Sequence, residues 1–345
     1  MEKREQRTNR KQAVVSERDI PWYDEDYRGP AMRNSRVKDY LSLTPQDIKA
    51  ELEKSVVNQE EACRRVAVMM YQHLHGHRFV GMLAGPTGSG KSFIAESLKE
   101  IFPDVVYIRD VSNVTCDGWK GNKKVGTLFK GVHPPYSCSG RIYPVLFLDE
   151  CDKMFSPKTS SGEENVSESV QYEFLSAIHG GEVEVAEAGN GRPTSRTDTS
   201  RMSFLFAGAF EKKAGEIAAR ESGASIGFGA DHTKPASYDR ELTMEDVHEA
   251  GCISELCGRI QRIIPLNRID ESGFRSMLDI RDRGPVYELE REFRLPIRIS
   301  DARKDEIAHN AFATGLGIRG MKNSIRTYID ELTWEDCNAG KLDIM

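Results

Sequence analysis

Two short segments of the chain carry residue types that can bind and cleave a phosphate chain. The first, GPTGSGKS at residues 85–92, fits G-x-x-x-x-G-K-[ST] without mismatch and follows the apolar run FVGMLA. Glycines let successive backbone N–H groups point at a phosphate, while a lysine adds positive charge and a serine hydroxyl can bind Mg²⁺. We therefore predict that the whole loop binds the phosphates of a nucleotide: Gly85, Pro86, Thr87, Gly88, Ser89, Gly90, Lys91 and Ser92.

The second segment is a pair of acids, Asp149 and Glu150, directly after the apolar run VLFL. In α/β sheets, ligands bind at the carboxyl ends of the strands, where this pair would lie. We expect Asp149 to hold Mg²⁺ together with Ser92, and Glu150 to orient and deprotonate the attacking water. The two segments together predict a nucleotide and Mg²⁺ as the ligands and hydrolysis as the chemistry; the resemblance described below implies that the nucleotide is ATP.

An α/β sheet must position these segments, and the sequence predicts one. Short apolar runs (residues 79–84, 105–108, 145–148 and 202–206) alternate with helical or polar stretches. Such alternation indicates a mostly parallel sheet that is buried on both faces. A helix is predicted to begin after Thr44, a suitable N-cap, because Pro45 fits the first helical position.

The chain divides into three parts. Residues 1–40 show neither helical nor strand periodicity, which predicts a mobile tail. Residues 41–265 contain the strand runs and both chemical segments. After LNRID at 266–270 the pattern changes to amphipathic helices, so residues 266–345 are predicted to form a small helical domain.

Composition restricts the class of protein. A chain of 345 residues with 39% hydrophobic and 30% charged residues has the size of about two globular domains. Setting 48 Lys+Arg against 54 Asp+Glu leaves a net charge of -6, which does not favour nucleic acid as a partner. No apolar run is long enough to span a bilayer, and the seven cysteines form no C-x-x-C pair. We expect a protein that does not enter membranes and resides in the cytoplasm.

Further motifs follow the phosphate loop in a characteristic order. They are DECDK at 149–153, DTS at 198–200, GAF at 208–210, IGFGA at 226–230, GR at 258–259 and IRGMKNSI at 318–325. In order and approximate spacing, the set resembles the AAA+ unfoldases of the ClpX family over residues 43–334. The resemblance implies an α/β fold: a P-loop AAA+ large domain with a parallel sheet, then a small, mostly helical AAA+ lid domain. The paired C-x-x-C motifs of the family's N-terminal zinc-binding domain do not occur in the sequence.

The resemblance also assigns nucleotide contacts outside the loop. Val56 and Val57, in SVVNQEEA, would flank the adenine base. Arg259 matches the arginine finger, which reaches the nucleotide of the neighbouring subunit, and Arg319 matches the sensor-two residue, which contacts the nucleotide of its own subunit. No sensor-one residue is assigned, because an apolar Phe-Ala pair (residues 206–207) falls where many AAA+ proteins carry a polar side chain.

Two loops would contact protein partners. The segment DGWKG stands in the position of the pore loop, so we expect the translocating chain to contact Gly118, Trp119, Lys120 and Gly121. Trp119 would grip the chain, and Lys120 replaces an apolar residue of the family pattern.

The second loop resembles the one that docks the unfoldase onto the ClpP peptidase. Its tip would consist of Ile226, Gly227 and Phe228. A short stretch corresponding to the family's basic entrance loop retains Arg192 and Arg196 to receive an acidic tag.

The resemblance implies an ATP-dependent protein unfoldase and translocase. It would act as a homo-oligomer, a hexameric ring, that takes protein substrates and delivers them to a ClpP-like peptidase. Two alternatives stay open: a remodelling chaperone that works without a peptidase, and an AAA+ motor acting on DNA. Four lysines near the pore loop (residues 120, 123, 124 and 130) favour the DNA motor, whereas the net acidity opposes it.

Overall fold

The computed structural model contains a sheet domain followed by a smaller helical domain. The residues it describes are 40–115, 123–134, 142–158, 165–186, 193–221, 241–281, 283–337 and 340–345. Within these ranges, no helix combines the length and the apolar composition that a bilayer crossing requires.

The first helix begins as the sequence predicts. The Thr44 hydroxyl accepts a hydrogen bond from Asp47 N at 3.2 Å, and an Asp47 carboxylate oxygen accepts one from Thr44 N at 2.8 Å. This reciprocal capping box satisfies backbone N–H groups that have no partner within the helix. Ile48 and Leu52, four residues apart, are both fully buried.

The sheet domain alternates strands and helices. Its helices are α1 (Pro45–Glu53), α2 (Glu60–Leu74), α3 (Lys91–Ile101), α4 (Cys151–Phe155), α5 (Val166–His179), α6 (Glu211–Glu221), α7 (Met244–Glu249) and α8 (Ser254–Cys257), with a 3-10 helix at Val125–Phe129. Its strands are β1 (Val80–Ala84), β2 (Val106–Asp110), β3 (Val145–Asp149), β4 (Glu182–Ala186), β5 (Pro193–Asp198), β6 (Ser203–Gly208) and β7 (Arg262–Pro265).

Five strands form one parallel sheet in the order β2-β3-β6-β1-β7. Successive side chains of a strand point to opposite faces, and both faces are covered. Thus Met82 packs into the core on one side of the sheet, with α5 and the 3-10 helix, while Leu83 packs on the other side with α1, α2 and α3. The expected parallel α/β sheet is confirmed, including all four apolar strand runs.

The strands β4 and β5 pair antiparallel, in addition to the parallel sheet that the sequence predicts. This hairpin packs against the 3-10 helix so closely that a Cβ on Gly126 would lie 2.4 Å from the carbonyl oxygen of Glu184. Glycine at this position lets the two backbones touch.

The helical domain contains α9 (Glu271–Met277), α10 (Pro285–Phe293), α11 (Asp301–Ala313) and α12 (Gly317–Glu335), together with a short parallel pair, β8 (Ile297–Ile299) and β9 (Leu342–Ile344). Its helices share their own apolar core, in which Met321 and Ile325 are fully buried. The two strands are an addition to the helices that the sequence predicts. The domain contacts the sheet domain through Arg283, whose Nε lies 2.9 Å from a carboxylate oxygen of Glu100 on α3.

Candidate nucleotide-binding site

The phosphate loop lies between the carboxyl end of β1 and the first residue of α3. Gly90, which precedes the helix, has a φ of 94°, in the left-handed region that glycine adopts without a steric penalty. Gly85 is restricted for another reason, because a Cβ there would lie 2.7 Å from the carbonyl oxygen of Leu266. The two glycines therefore let the loop turn sharply while it lies against the chain that leaves β7.

The loop offers hydrogen-bond donors that suit phosphate oxygens. Within the described residues, the backbone N–H groups of four loop residues donate to no protein acceptor: Gly88, Gly90, Lys91 and Ser92. The buried hydroxyl of Ser89 also has no partner in that part of the chain. Free N–H groups at the start of a helix, reinforced by the helix dipole, form an anion-binding site.

Lys91 supplies the positive charge of the loop. Its ammonium donates to the carbonyl oxygens of Gly85 at 2.6 Å and Pro86 at 2.8 Å, and its side chain is buried. Burial lowers the pKa of Lys91, and the negative charge of Asp149 opposes that shift. A phosphate would add a further opposing charge, so anion binding and the charged state of Lys91 favour each other.

A residue outside the motif holds the loop in place. Gln59 is buried, and its amide nitrogen donates to the carbonyl oxygens of Ser89 at 2.9 Å and Asn267 at 2.7 Å. Its amide oxygen accepts from Asn267 N at 3.0 Å. Gln59 thus joins the phosphate loop to the segment that enters the helical domain. Sequence reasoning did not identify it, although it lies within the SVVNQEEA segment.

Asp149 and Ser92 meet at the end of β3. The Ser92 hydroxyl donates to Asp149 Oδ2 at 2.7 Å, and Asp149 Oδ1 accepts from Glu150 N at 2.9 Å. A serine hydroxyl beside a fixed carboxylate is a donor set of hard oxygens, which Mg²⁺ prefers. The pair fits the predicted metal role.

Glu150 occupies a backbone conformation that is rare for its residue type. Its φ is 61° and its ψ is 36°, and it stands directly before α4. Such backbone strain is concentrated at functional sites in proteins. One Glu150 carboxylate oxygen lies 2.8 Å from the ammonium of Lys153, which orients the side chain.

These side chains surround one cavity of about 500 Å³. From the sheet domain it is lined by Thr87, Gly88, Gly90, Lys91, Ser92, Phe93, Glu96, Asp110, Asp149, Glu150, Asp152, Lys153, Gly208 and Ala209, and from the helical domain by Leu316, Ile318, Arg319 and Lys322. The structure therefore brings the loop, both acids and Arg319 together. Gly85, Pro86 and Ser89 support the loop from behind without lining the cavity.

Three residues assigned through the resemblance do not line the cavity. Val56 is buried in the core beside α1 to α3, and Val57 packs against the core of the helical domain. Arg259 is exposed shortly before β7. It lies two residues before Gln261, whose N–H donates to the carbonyl oxygen of Val80 at the opposite end of β1 from the loop. Arg259 therefore lies far from its own phosphate loop, and the adenine contacts of Val56 and Val57 stay predictions.

The loops that would contact protein partners lie outside the described residues. This holds for Gly118, Trp119, Lys120 and Gly121, for Ile226, Gly227 and Phe228, and for Arg192. Arg196 is described, on β5, and its guanidinium pairs with Glu182 at 3.0 Å and Glu184 at 3.2 Å. Its charge is thus already matched within its own hairpin.

The site also contains residues beyond those that the motifs predict. Asp152 lines the cavity, and its Oδ1 accepts from Ala209 N at 3.2 Å, which links the acidic segment to the end of β6. Lys153 pairs with Glu150, and Lys322 lies one helical turn after Arg319. The signals were in the quoted motifs DECDK and IRGMKNSI, because residues three apart on a helix share a face.

Comparison with known proteins agrees with this geometry. Residues 81–209 match the family described as ATPase family associated with various cellular activities (AAA). This span runs from β1 through the phosphate loop and both acids to the end of β6. It therefore contains the sheet-domain wall of the cavity.

Curated proteins similar to this chain carry the name ATP-dependent Clp protease ATP-binding subunit ClpX. The protein from Treponema denticola is 27% identical over 328 residues, which cover 85% of this chain and 77% of that protein. The one from Borrelia duttonii is 25% identical over 326 residues, covering 85% and 74%. ClpX 3 of Methylococcus capsulatus is 29% identical over 275 residues, covering 69% and 63%. The chain is therefore a nucleotide-binding ATPase that carries an AAA domain and has ClpX subunits among its relatives.

Proposed function

We propose that this protein is an ATP-driven protein unfoldase and translocase that works as a hexameric ring and delivers its substrates to a ClpP-like peptidase. The observation that carries the proposal is the single cavity in which the phosphate loop, Asp149, Glu150 and Arg319 meet. The similarity to ClpX subunits over 85% of the chain supports protein as the substrate.

Binding of the nucleotide would use the donors of the phosphate loop. The free N–H groups and Lys91 would hold the β- and γ-phosphates, and Arg319 would reach them from the helical domain. Ser92 and Asp149 would hold Mg²⁺, which neutralises phosphate charge when bound. The hydrogen bond between Ser92 and Asp149 already places the two oxygens on the same side of the loop.

Hydrolysis would use Glu150 as the general base. Its carboxylate would orient a water and accept its proton as the water oxygen bonds to the γ-phosphorus and the bond to the β,γ-bridging oxygen breaks. Lys153 would hold the carboxylate in its orientation. Asp152 binds the backbone after β6 and would hold the acidic segment in place.

The position of Arg259 supports the proposed ring. An exposed arginine far from its own loop cannot stabilise charge in its own site, but it can do so in a neighbour's site. Each nucleotide would then lie between two subunits. We propose in addition that the sheet domain (41–265) and the helical lid (266–345) move relative to each other as the nucleotide is hydrolysed.

The partner contacts rest on the sequence. Trp119 would grip the substrate in the pore, and the tip at Phe228 would enter an apolar pocket of the peptidase. The alternative of a DNA motor is less favoured. Lys123, one of the four lysines near the pore loop, pairs with Asp110 at 3.5 Å, so its charge is already matched within the protein.

The test is ATP-dependent unfolding of a stable fluorescent protein that carries an unstructured tail. Loss of fluorescence with the parent protein, and none with Glu150→Gln, supports the proposal. Trp119→Ala should keep ATP hydrolysis but lose unfolding. Unfolding that occurs without any peptidase association would favour the remodelling chaperone, and stimulation of ATP hydrolysis by DNA alone would contradict the proposal.

A further inference from the structure

Two basic residues of α12 line the nucleotide cavity, and only one of them is assigned a role above. Arg319 and Lys322 stand three residues apart, so they project from the same face of the helix. Lys322 brings a second positive charge from the helical domain to a site whose ligand is a polyanion.

The side chain of Lys322 is partly buried and forms an ion pair. Its ammonium pairs with Glu288 on α10, and its side chain is 24% exposed. Glu96, on α3 one helical turn after Ser92, lines the same cavity and also a second cleft of about 360 Å³ next to it, between α3 and α10. Burial raises the pKa of Glu96, and the negative charge of Glu288 adds to that shift while the positive charge of Lys322 opposes it. The Lys322 ammonium is thus ion-paired with Glu288 while the residue also lines the nucleotide cavity.

This arrangement places a carboxylate that can compete with phosphate next to a cation of the anion site. A phosphate that enters the cavity therefore meets a cation that is already engaged by Glu288. A lysine has three donors on a flexible stem and can turn from one acceptor to another.

We propose that Lys322 is a second nucleotide-binding cation supplied by the helical domain, and that Glu288 competes with the nucleotide's phosphates for it. The inference rests on the proposed nucleotide site and adds to it a residue and a means of coupling. When Lys322 turns to the nucleotide, α10 loses its ion pair to α12, and when the nucleotide leaves, the pair forms again. Occupancy of the site would thereby alter the packing of the helical domain.

The chain offers a matched control on the same helix. Arg326 follows Lys322 by one turn and pairs with Glu292 on α10 at 2.7 Å, but it does not line the nucleotide cavity. Lys322→Met and Arg326→Met each remove one α12–α10 ion pair, and only the first removes a charge from the cavity.

The experiment measures the dissociation constant of a fluorescent ATP analogue in the hydrolysis-deficient Glu150→Gln background. Lys322→Met should weaken binding by about tenfold, as expected for loss of a charge-assisted contact, and Arg326→Met should leave it unchanged. Glu288→Gln should tighten binding about threefold, because the competing carboxylate is gone. Lys322→Arg should restore most of the affinity.

The directions of these changes in affinity distinguish nucleotide binding by Lys322 from a merely structural role of that residue. Equal weakening by Lys322→Met and Arg326→Met, or weaker binding by Glu288→Gln, would overturn it. Thermal denaturation without nucleotide identifies any variant that is unfolded, in which case Glu288→Gln carries the test alone. If the parent protein binds the ATP analogue while the variants contradict the inference, only the inference fails and the proposed function stands.

Discussion

The hydroxyl of Ser92 and the carboxylate of Asp149 lie 2.7 Å apart although 57 positions separate them in the chain. Parallel pairing brings the start of α3 and the end of β3 to one edge of the sheet. This contact predicts a defect that depends on the metal. Ser92→Ala and Asp149→Asn should raise the Mg²⁺ concentration needed for half-maximal ATP hydrolysis by about tenfold, because each removes one oxygen from the metal's surroundings. Titration of activity with Mg²⁺ measures this. An unchanged half-maximal concentration in both variants would contradict the metal role.

A second prediction concerns Arg259, which is exposed and lies away from its own cavity. Rings doped with a subunit carrying both Lys91→Ala and Arg259→Ala should lose activity faster than simple dilution, because each such subunit also disables its neighbour. Activity should fall roughly as the square of the parent fraction when each site is shared by two subunits. A linear decrease would indicate independent sites. Subunits carrying Lys91→Ala alone provide the control, since with them activity should fall in proportion to the parent fraction.

A third prediction concerns stability and pH at His73. The ring is buried between the hydroxyl of Ser203 and the carbonyl oxygen of Tyr143, at 2.7 Å from each. Burial lowers the pKa of His73 from 6.5 to about 4, although the hydrogen bond to Tyr143 opposes the shift. Because the unfolded chain binds the proton more readily, the free energy of unfolding should fall as the pH is lowered from 6.5 to about 4. The loss between pH 7 and pH 5 is about 2 kcal/mol.

Urea denaturation at the two pH values checks this. His73→Asn removes the titrating group and should abolish that part of the pH dependence, whereas His75→Gln, at an exposed position, should retain it. If His73→Asn and the parent protein lose equal stability on acidification, His73 does not carry the effect.

A fourth prediction separates a proteolytic motor from a free-standing remodeller. Burial of one Phe side chain contributes about 1.5 to 3 kcal/mol, and a ring presents several loops at once, so a small loss in each loop is multiplied across the interface. Phe228→Ala should therefore keep ATP hydrolysis and unfolding but abolish association with the peptidase of the same organism. Co-sedimentation and degradation of a tagged protein measure the result. A variant that is unfolded would make Phe228 a core residue instead.

The sequence predicts the local features of this fold well. The phosphate loop, the four apolar runs and the Thr44 cap are all properties of a few adjacent residues, and the structure has each of them. The contacts that assemble the site, in contrast, join residues that are far apart in the sequence. Gln59 reaches Asn267 across 208 positions, and no local pattern marks an amide that binds two distant backbone groups. The hairpin of β4 and β5 was also missed, although EVEVA alternates with the period of a strand.

Of the two arginines assigned through the resemblance, one lies in the cavity and the other does not. Arg319 lies in the cavity, where a residue that contacts its own nucleotide must be. Arg259 does not, and the role that the resemblance implies for it would require a second subunit, which one chain cannot provide. Lys322 stood within a quoted motif, but the role proposed for it rests on the cavity that it lines and on its ion pair with Glu288, which another helix provides.

The central claim is that this cavity hydrolyses ATP with Glu150 as the base, and one comparison tests it most directly. Binding and turnover of ATP are measured for Lys91→Ala and Glu150→Gln beside the parent protein. The account predicts that Lys91→Ala loses affinity for ATP, while Glu150→Gln binds ATP at least as tightly as the parent and hydrolyses it about a hundredfold or more slowly. Hydrolysis at the parent rate by Glu150→Gln would contradict the account.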